Sequence, residues 1–394
     1  MSIKIGDHVG KYKIEEELGK GGMATVFKGY HVDLHRYNAI KVLHAELGQD
    51  SNSIERFKQE ARIIANLKNP HIVHINDYDQ HQGQPYFVLD LIDGQTLRQQ
   101  LANSPLPDDK ILDIVFAVGD ALNYAHMNGV LHRDIKPSNI LIANDGKIYL
   151  TDFGLARIAE SQSSLTGEMM VGTLQYMSPE QALGSESLDS GTDIYSFGVV
   201  MYEMILGRLP YDFTDPMSEI HNFTTVRPIL PTTIKSDLGR DVEKVLLKAL
   251  AKQRQDRYLG VTELITAFMK AWITNTDQKS VSSATLEAFA FSALVSEDGI
   301  AFPLVQDKVV LGRNSTTKEI YNDIDLTELD LKKIVSRRHA IVERCEDGYQ
   351  LADLGSRNGT FLNGERVPPN TLQLLKQGDE IEFGKNGVKF RFAN

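Results

Sequence analysis

Residues 131–139 read LHRDIKPSN, in which a histidine, an arginine and a small polar residue surround a charged group. About two hundred residues further along the chain, residues 335–340 read VSRRHA and combine similar residue types. Arginine and short hydroxyl or amide donors are groups that bind phosphate in proteins. The two stretches therefore raise the hypothesis of two phosphate-handling sites.

Bulk composition limits the class of protein. A chain of 394 residues with 42% hydrophobic and 24% charged residues has enough apolar side chains for two or three folded domains. The net charge of −11 argues against a broad basic surface for nucleic acid or anionic lipid. The single cysteine, Cys345, excludes an intramolecular disulfide and a cysteine metal cage. Because the N-terminal sequence lacks a signal-peptide core and the apolar runs are short, we expect a soluble cytoplasmic protein without a membrane span.

The sequence pattern changes twice along the chain. Up to about residue 110, short apolar alternations surround one amphipathic helical stretch, residues 53–67. From about 111 to 272 the longer patterns predict helices. Residues 273–287 are polar and rich in serine and threonine, which is typical of a linker. Beyond the linker, short apolar runs separated by turn sequences predict a small all-β domain.

A glycine-rich stretch, LGKGGMATVFKG, occupies residues 18–29. Its glycines lead into a strand pattern rather than a helix, which favours a hairpin over phosphate groups, although a simple tight hairpin explains the stretch alone equally well. Four further elements follow in a fixed order: AIK with Lys41, an amphipathic helix with Glu60, HRDIKPSN, and DFG. In this order they resemble the eukaryotic-like (Hanks-type) serine/threonine protein kinases of bacteria, over residues 11–272.

The resemblance implies a catalytic role for four side chains. Lys41 would neutralise the α- and β-phosphates of ATP and would pair with Glu60. Asp134 would accept or orient the proton of the attacking hydroxyl. Lys136 would stabilise charge on the transferred phosphoryl group.

The resemblance also implies the cofactors, ATP and magnesium or manganese. Asn139 and Asp152 would hold the metal ions, since oxygen atoms are the ligands that magnesium prefers. The nucleotide would be bound by the glycine-rich hairpin, by apolar side chains around the adenine and by backbone groups at its edge. The implied nucleotide residues are Leu18, Gly19, Lys20, Gly21, Gly22, Met23, Ala24, Val26, Ala39, Lys41, Leu89, Asp90, Ile92 and Leu141.

Other residues of these motifs are expected to be structural. His132 and Phe153 would pack within the catalytic motifs, and Asp193 would secure the backbone of the catalytic loop. Glu180 and Arg257 would form a structural ion pair. Two departures from the family pattern, Ala24 at the third glycine position and Ser178 in place of alanine before Pro-Glu, are familiar in the bacterial branch.

The loop of residues 152–180 carries candidate phosphorylation sites. In similar kinases the arginine before the catalytic aspartate, here Arg133, is held by a phosphate on this loop. Thr173 would contact the catalytic loop. The candidate sites are Ser161, Ser163, Ser164 and Thr166, with Thr166 placed best by analogy, and the alternative is that they are solvated loop residues.

VSRRHA alone would be a solvated charge cluster, but three further matches accompany it. LGR ends a strand at Arg313, DIDL occupies residues 323–326, and LGSRNGTFLNG occupies residues 354–364. Together they resemble a forkhead-associated (FHA) domain over residues 288–394, a β-sandwich that binds phosphothreonine peptides. In that family His339 braces the binding loops, and the role of Arg338 stays open. The implied peptide contacts are Arg313, Ser336 and Arg337 at the phosphate, and Arg357 and Asn358 beside it.

The predicted fold class is therefore α+β, a bilobal kinase fold followed by an all-β FHA sandwich. The predicted function is an ATP-dependent, non-specific serine/threonine protein kinase that phosphorylates itself and protein substrates. Its FHA domain would bind phosphothreonine proteins, including this chain, for which Thr274 is a candidate site, and autophosphorylation would use a transient homodimer. The alternative is a non-catalytic scaffold that binds nucleotide and phosphothreonine.

Overall fold

The structure is a computed structural model of the chain. It describes residues 3–21, 24–44, 64–153, 174–185, 187–212, 224–277, 292–297, 301–304, 308–314, 322–327, 329–330, 332–345 and 348–393. The residues cluster into two units: Met1–Ser236 with Leu246–Val261, and Asp237–Val245 with Thr262–Asn394. The domain bounds 11–272, 273–287 and 288–394 stay predictions.

The first unit begins with an antiparallel six-stranded sheet of order β1-β2-β3-β4-β6-β5. Its strands are β1 (His8–Val9), β2 (Tyr12–Lys20), β3 (Ala24–His31), β4 (Arg36–Leu43), β5 (Ile75–His81) and β6 (Gln84–Leu89). The strand predicted after the glycines is confirmed as β3. Ile40 and Val42 pack into a core on one face of this sheet. Since strand side chains alternate, Ala39 and Lys41 lie on the other face.

A second, three-stranded sheet of order β7-β8-β9 lies beside the catalytic motif. Its strands are β7 (Gly94–Thr96), β8 (Ile140–Ala143) and β9 (Ile148–Leu150). A 3-10 turn, Pro137–Asn139, leads directly into β8. The register pairs Leu141 with Thr96 on one side and Tyr149 on the other. The catalytic motif is therefore fixed at the start of a central strand.

The helical segments agree with the long apolar patterns. They are α1 (Leu97–Asn103), α2 (Asp108–Met127), α3 (Pro179–Ala182), α4 (Ser190–Leu206), α5 (Pro231–Ile234), α6 (Arg240–Ala249) and α7 (Val261–Asp277), with 3-10 turns at Leu174–Tyr176 and Arg254–Asp256. Helix α4 is buried along almost its whole length, which explains why its sequence is apolar all round. Its ends are defined by the Asp189 carboxylate, which accepts the Gly191 N–H, and by Gly207 in the left-handed conformation.

Helix α7 runs past the start of the expected linker. Its last residues, 273–277, belong to the stretch whose polar composition predicted a linker. Thr274 therefore lies in a helix. A helix can tolerate these residues, because threonine and asparagine are disfavoured in it by only about 0.7 kcal/mol each or less. Polar composition therefore did not distinguish a helix end from a linker.

The second unit contains two antiparallel-rich sheets, of orders β11-β10-β20-β19-β16-β17 and β13-β12-β14-β15-β18. Their strands are β10 (Ala293–Ser296), β11 (Ala301–Pro303), β12 (Lys308–Gly312), β13 (Ile324–Asp325), β14 (Ala340–Cys345), β15 (Gly348–Asp353), β16 (Thr360–Leu362), β17 (Glu365–Arg366), β18 (Gln373–Leu374), β19 (Glu380–Phe383) and β20 (Val388–Ala393). Leu311 and Val342 of one sheet share a buried core with Phe383 and Phe390 of the other. The two sheets therefore form a sandwich.

Candidate functional sites

Two residues of the HRDIKPSN motif converge on the carboxylate of a third, Asp134. Lys136 Nζ lies 2.8 Å from Asp134 Oδ2. The Asn139 side-chain amide donates to the backbone carbonyl of Asp134 at 2.8 Å and to Asp134 Oδ2 at 3.0 Å. Because both partners of the Asn139 amide nitrogen are acceptors, Asn139 Oδ1 must be the atom that points away from Asp134.

Lys41 reaches the aspartate of the DFG motif. Its Nζ lies 2.6 Å from Asp152 Oδ1, and Lys41 is only 8% exposed although it is charged. Burial opposes ionisation of Asp152, but the charge and hydrogen bond of Lys41 outweigh burial and hold the pKa of that carboxyl below its usual range. The expected partner of Lys41, Glu60, lies outside the described residues.

A buried network orients the catalytic loop. The Asp193 carboxylate accepts the backbone N–H of His132 at 2.9 Å and that of Arg133 at 2.8 Å. Burial alone would raise the pKa of Asp193, but the hydrogen bond and charge of His126, whose Nε2 lies 2.7 Å from Oδ2, keep that pKa below its usual range. Sequence reasoning missed His126, because its position on α2 shows no sign of a carboxylate 67 residues away.

His132 connects the loop to the strand before DFG. Complete burial lowers its pKa, so the imidazole is neutral. Its Nε2 lies 2.9 Å from the Thr151 carbonyl, and its Nδ1 accepts the Asp134 N–H at 3.2 Å. The ring also packs on Phe153, with centroids 4.5 Å apart. These contacts are structural, as the sequence predicts.

The described part of the glycine-rich hairpin closes with a bond from the Gly21 N–H to the Ala24 carbonyl at 2.9 Å. Gly19 pairs with Val26, and Val26 pairs with Lys41. Gly22 and Met23, at the tip, lie outside the described residues. Strand pairing therefore brings the hairpin and Lys41 together.

The expected adenine edge lies where β6 ends. Ala39 pairs with Leu89 in register. The Asp90 N–H donates to the His74 carbonyl at 3.1 Å, so this N–H is already engaged within the fold. An apolar cavity opens behind these strands, next to the Lys41–Asp152 pair, and its lining is Lys41, Ile64, Val73, Ile75, Phe87, Leu89, Asp152 and Phe153.

The candidate phosphorylation sites Ser161, Ser163, Ser164 and Thr166 lie outside the described residues, as does Thr173. Their roles stay predictions. At the last residue of this loop the expected ion pair is present, because Arg257 Nη1 lies 2.6 Å from Glu180 Oε1.

In the second unit, Arg313 and VSRRHA meet at the end of β12. Arg313 donates from its backbone N–H to the Ser336 carbonyl at 3.1 Å and from Nε to the Val335 carbonyl at 2.7 Å. Its Nε also lies 3.4 Å from the buried carboxylate of Asp330. Within the described residues the guanidinium of Arg313 makes its contacts through Nε. Sequence reasoning missed Asp330.

The LGSRNG loop is fastened to the same place. The Arg357 N–H donates to Ser336 Oγ at 3.0 Å, and Asn358 Nδ2 donates to the Ile334 carbonyl at 2.7 Å. The side chains of Arg337, Arg357 and Asn358 are exposed. All five residues predicted for phosphothreonine therefore lie at one end of the sandwich.

The buried side chain of His339 contacts both the VSRRHA segment and the LGSRNG loop. It is fully buried, its Nδ1 accepts the Ser336 N–H at 2.9 Å, and its Nε2 lies 3.1 Å from the Gly359 carbonyl. Asp353, which the motif comparison missed, accepts the N–H groups of Gly355 and Ser356 at 2.9 and 2.8 Å. An aspartate followed by Gly-Ser two residues on is a turn signal that could have revealed it.

Two protein-family models match this chain. The sequence model of the protein kinase domain matches residues 12–269, and that of the FHA domain matches residues 309–384. The chain belongs to the protein kinase family. The predicted fold class and the resemblance to a kinase with an FHA domain are therefore confirmed, and membership of the family implies the use of ATP and a divalent metal ion.

Several curated relatives are serine/threonine-protein kinases. A probable serine/threonine-protein kinase of Clostridium acetobutylicum is 38% identical over 256 residues, which are 65% of this chain and 39% of that protein. The serine/threonine-protein kinase PknB of Mycobacterium tuberculosis is 38% identical over 261 residues, 64% of this chain and 42% of that protein. This chain thus spans about two fifths of the length of these relatives.

Solved structures give the same fold. The crystal structure of the Mycobacterium tuberculosis PknI kinase domain superposes with a TM-score of 0.56 at 28% sequence identity, over 68% of this chain and 100% of that chain. No helix in the described part of this chain has both the length and the apolarity needed to cross a membrane. The cytoplasmic location stays a prediction.

Proposed function

We propose that the chain is a protein kinase that transfers the γ-phosphoryl group of ATP to serine or threonine hydroxyls of proteins. One observation carries this proposal: the ordered cluster in which Lys41 pairs with Asp152 while Lys136 and Asn139 converge on Asp134. Phosphoryl transfer needs positioned charges more than covalent chemistry from the protein, and this cluster supplies them. Relatives named serine/threonine-protein kinases support the choice of acceptor.

The donor atoms fit a divalent metal ion. Asn139 Oδ1 points away from Asp134, and the carboxylate of Asp152 is ionised, so both offer the oxygen ligands that magnesium and manganese accept. A metal ion held there supplies charge neutralisation for the phosphates. In this proposal Asn139 would hold one metal ion and Asp152 the other, and Lys41 would serve the α- and β-phosphates.

The other two side chains act on the acceptor. Asp134, 20% exposed at its side chain, orients the substrate hydroxyl and receives its proton. Lys136 holds Oδ2 of Asp134 and presents its positive charge where negative charge develops. Loss of one such group typically slows transfer by about 10²- to 10³-fold.

The test is transfer of labelled phosphate from Mg-ATP to the chain itself and to a generic protein acceptor. The wild-type chain should label both on serine or threonine, and Asp134→Asn should reduce labelling by at least about 10²-fold without weakening nucleotide binding. Wild-type protein that binds ATP yet transfers nothing would instead identify the non-catalytic scaffold.

We also propose that the FHA domain binds phosphothreonine peptides. Arg313 and Arg337 would contact the phosphate as guanidinium groups, together with the hydroxyl of Ser336. Arg357 and Asn358 would contact the peptide near the phosphothreonine, Asn358 by bonding to its backbone. Support comes from the fastening of both loops at one end of the sandwich through Ser336 Oγ and the Ile334 carbonyl.

This second proposal is tested with a phosphothreonine peptide library, with unphosphorylated and phosphoserine peptides for comparison. Arg313→Ala should abolish phosphothreonine-dependent binding. Arg391→Ala is the matched control, since it removes an exposed arginine from β20 of the other sheet. Equal binding of phosphorylated and unphosphorylated peptides would contradict the proposal.

A kinase and a phosphothreonine reader on one chain suggest a link between the two activities. Tethering by a short flexible connection raises the local concentration of each for the other to about the millimolar range. The FHA domain would then capture phosphorylated substrates, or phosphothreonines of this chain such as Thr166 or Thr274, in cis or within a transient homodimer. Arg313→Ala should change the autophosphorylation pattern, the oligomer size or substrate capture, and no change in any of them would refute the link.

A further inference from the structure

The peptide group between Arg133 and Asp134 is held at both of its polar atoms. Its N–H, which belongs to Asp134, donates to His132 Nδ1 at 3.2 Å. Its carbonyl, which belongs to Arg133, accepts a bond from Gln181 Nε2 at 2.8 Å. Arg133 has a φ of +66°, a conformation that side chains other than glycine and asparagine rarely adopt. The orientation of this peptide plane sets the position of the Asp134 Cα, from which the side chain extends.

Gln181 is itself fixed by the segment that precedes it. Its Oε1 accepts the Ser178 N–H at 3.1 Å and the Ser178 hydroxyl at 3.2 Å. Gln181 is 8% exposed and Ser178 is fully buried. The side-chain amide thus uses its acceptor towards Ser178 and its donor towards Arg133. It links the end of the loop of residues 152–180 to the catalytic loop.

A second glutamine shows which part of this arrangement exceeds ordinary helix capping. Gln99 forms the same capping box with Thr96 at the start of α1: its Oε1 accepts the Thr96 N–H at 2.8 Å. That box is exposed, and within the described residues Gln99 makes no bond to the catalytic loop. The contact with Arg133 is therefore what distinguishes Gln181.

We propose that Gln181 is a positioning residue of phosphoryl transfer, which holds Asp134 in place through the Arg133 carbonyl and couples it to the Ser178 end of the 152–180 loop. This inference rests on the kinase function proposed above. If Gln181 has this role, transfer requires both the donor and the acceptor of its side-chain amide. Methionine has a similar shape but no donor and only a weakly accepting sulfur, and an ionised glutamate would point a second oxygen at the Arg133 carbonyl.

The experiment compares Gln181→Met, Gln181→Glu and the control Gln99→Met in the full chain. Gln181→Met should lower kcat about 10- to 100-fold, the size expected when a catalytic group is misplaced by about 1 Å, while KM for ATP changes less than about twofold. Binding of a non-hydrolysable ATP analogue should be unchanged. Backbone amides in residues 132–136 should exchange with solvent faster. Gln99→Met should behave as wild type in all three measurements.

Gln181→Glu gives an independent test through pH. At neutral pH its carboxylate should lower kcat as the methionine variant does. As the pH falls, a protonated carboxyl regains a donor for the Arg133 carbonyl, so the ratio of its kcat to that of the wild type should rise between about pH 8 and pH 6, because burial favours the protonated form. Gln181→Met should show no such rise. If Gln181→Met does not fold, the pH profile of Gln181→Glu alone tests whether Gln181 is a positioning residue.

The outcomes separate this inference from the kinase function. A wild-type chain without transfer activity would defeat the proposed function itself. An active wild type, with a folded Gln181→Met of unchanged kcat or a Gln181→Glu ratio independent of pH, would overturn the positioning role only. Equal losses of kcat and of ATP-analogue binding would also overturn it, since they would indicate general damage to the fold.

Discussion

Replacing Glu180 by glutamine should destabilise the first unit severely, because it leaves a buried guanidinium without its counter-charge. The Arg257 side chain is fully buried, and its Nη1 and Nη2 donate to the two oxygens of Glu180 at 2.6 and 2.8 Å. Its other bonds go to the carbonyls of Gly191, Ala251 and Lys252. These carbonyls satisfy N–H groups but do not neutralise the charge.

The size of the effect follows from this geometry. Removing one partner of a buried ion pair typically costs about 3–5 kcal/mol. Glutamine keeps one acceptor oxygen for Arg257, so the lower end, about 3 kcal/mol, is expected. For a unit of this size each kcal/mol lowers Tm by about 2–4 °C, which gives a fall of about 6–12 °C.

The pH dependence has a definite sign. Burial opposes ionisation of Glu180, but the hydrogen bonds and charge of Arg257 outweigh it and hold the pKa of that carboxyl below its ordinary value of 4.5. The stabilisation is therefore fully present above pH 4.5 and is lost as the pH falls through the lower, folded-state pKa. The difference in stability between the wild type and Glu180→Gln should shrink in the same range.

The assay is thermal unfolding of the full chain, in which the transition that an ATP analogue shifts identifies the first unit. Asp145→Asn is the matched control, since it neutralises a carboxylate in an exposed pair with Lys147 and should leave Tm unchanged. A fall in Tm of less than about 2 °C for Glu180→Gln would refute the reasoning, as would a difference that persists undiminished to pH 3.

Three further predictions concern single side chains. Gly312→Ala should destabilise the FHA sandwich, because the added Cβ would lie 2.1 Å from the Arg337 carbonyl oxygen. An unchanged Tm for the thermal unfolding of the second unit would contradict this. His339→Ala should weaken phosphothreonine binding at least about 10-fold in titration calorimetry, since it unfastens Ser336 without touching the peptide, and full affinity would speak against the bracing role. Burial lowers the pKa of Lys252 from 10.5 to about 7, so the unfolded chain holds a proton that the folded chain releases, and wild-type stability should rise between those pH values. Lys252→Met should remove that rise in urea titrations, and identical slopes would disprove it.

The order of motifs was enough to predict the fold class and the gathering of the site residues. Lys41, Asp134 and Asp152 are far apart in sequence, yet strand register and the turn before β8 bring them into one region. In the second unit, the short alternating runs predict the strands correctly, since apolar alternation is a local property. Their pairing is not local: β10 lies between β11 and β20, almost one hundred residues away. Periodicity carries no information about such contacts.

The parts of the site that sequence reasoning missed have a common physical origin. Gln181 follows Ser178 at the spacing of a capping box, and that local explanation accounts for its acceptor oxygen. The partner of its donor nitrogen, the Arg133 carbonyl, is 48 residues away. His126 and Asp330 are likewise polar residues whose roles appear only when distant chain segments meet. The partner of Lys41 was expected at Glu60, whereas the described one is Asp152.

Arg133, next to Asp134 in the chain, and Asp152 of the DFG motif both adopt positive φ, +66° and +69°. For residues other than glycine such conformations cost about 1 kcal/mol or more each, and aspartate tolerates them better than arginine. Directed evolution for heat resistance alone would therefore favour glycine or asparagine at position 133, because these residues adopt a positive φ at a lower conformational cost. Such variants would lose the guanidinium that a phosphate on the 152–180 loop is expected to hold. Thermostability and regulation by phosphorylation thus compete at this position. A library of variants selected for one property should be screened for the other.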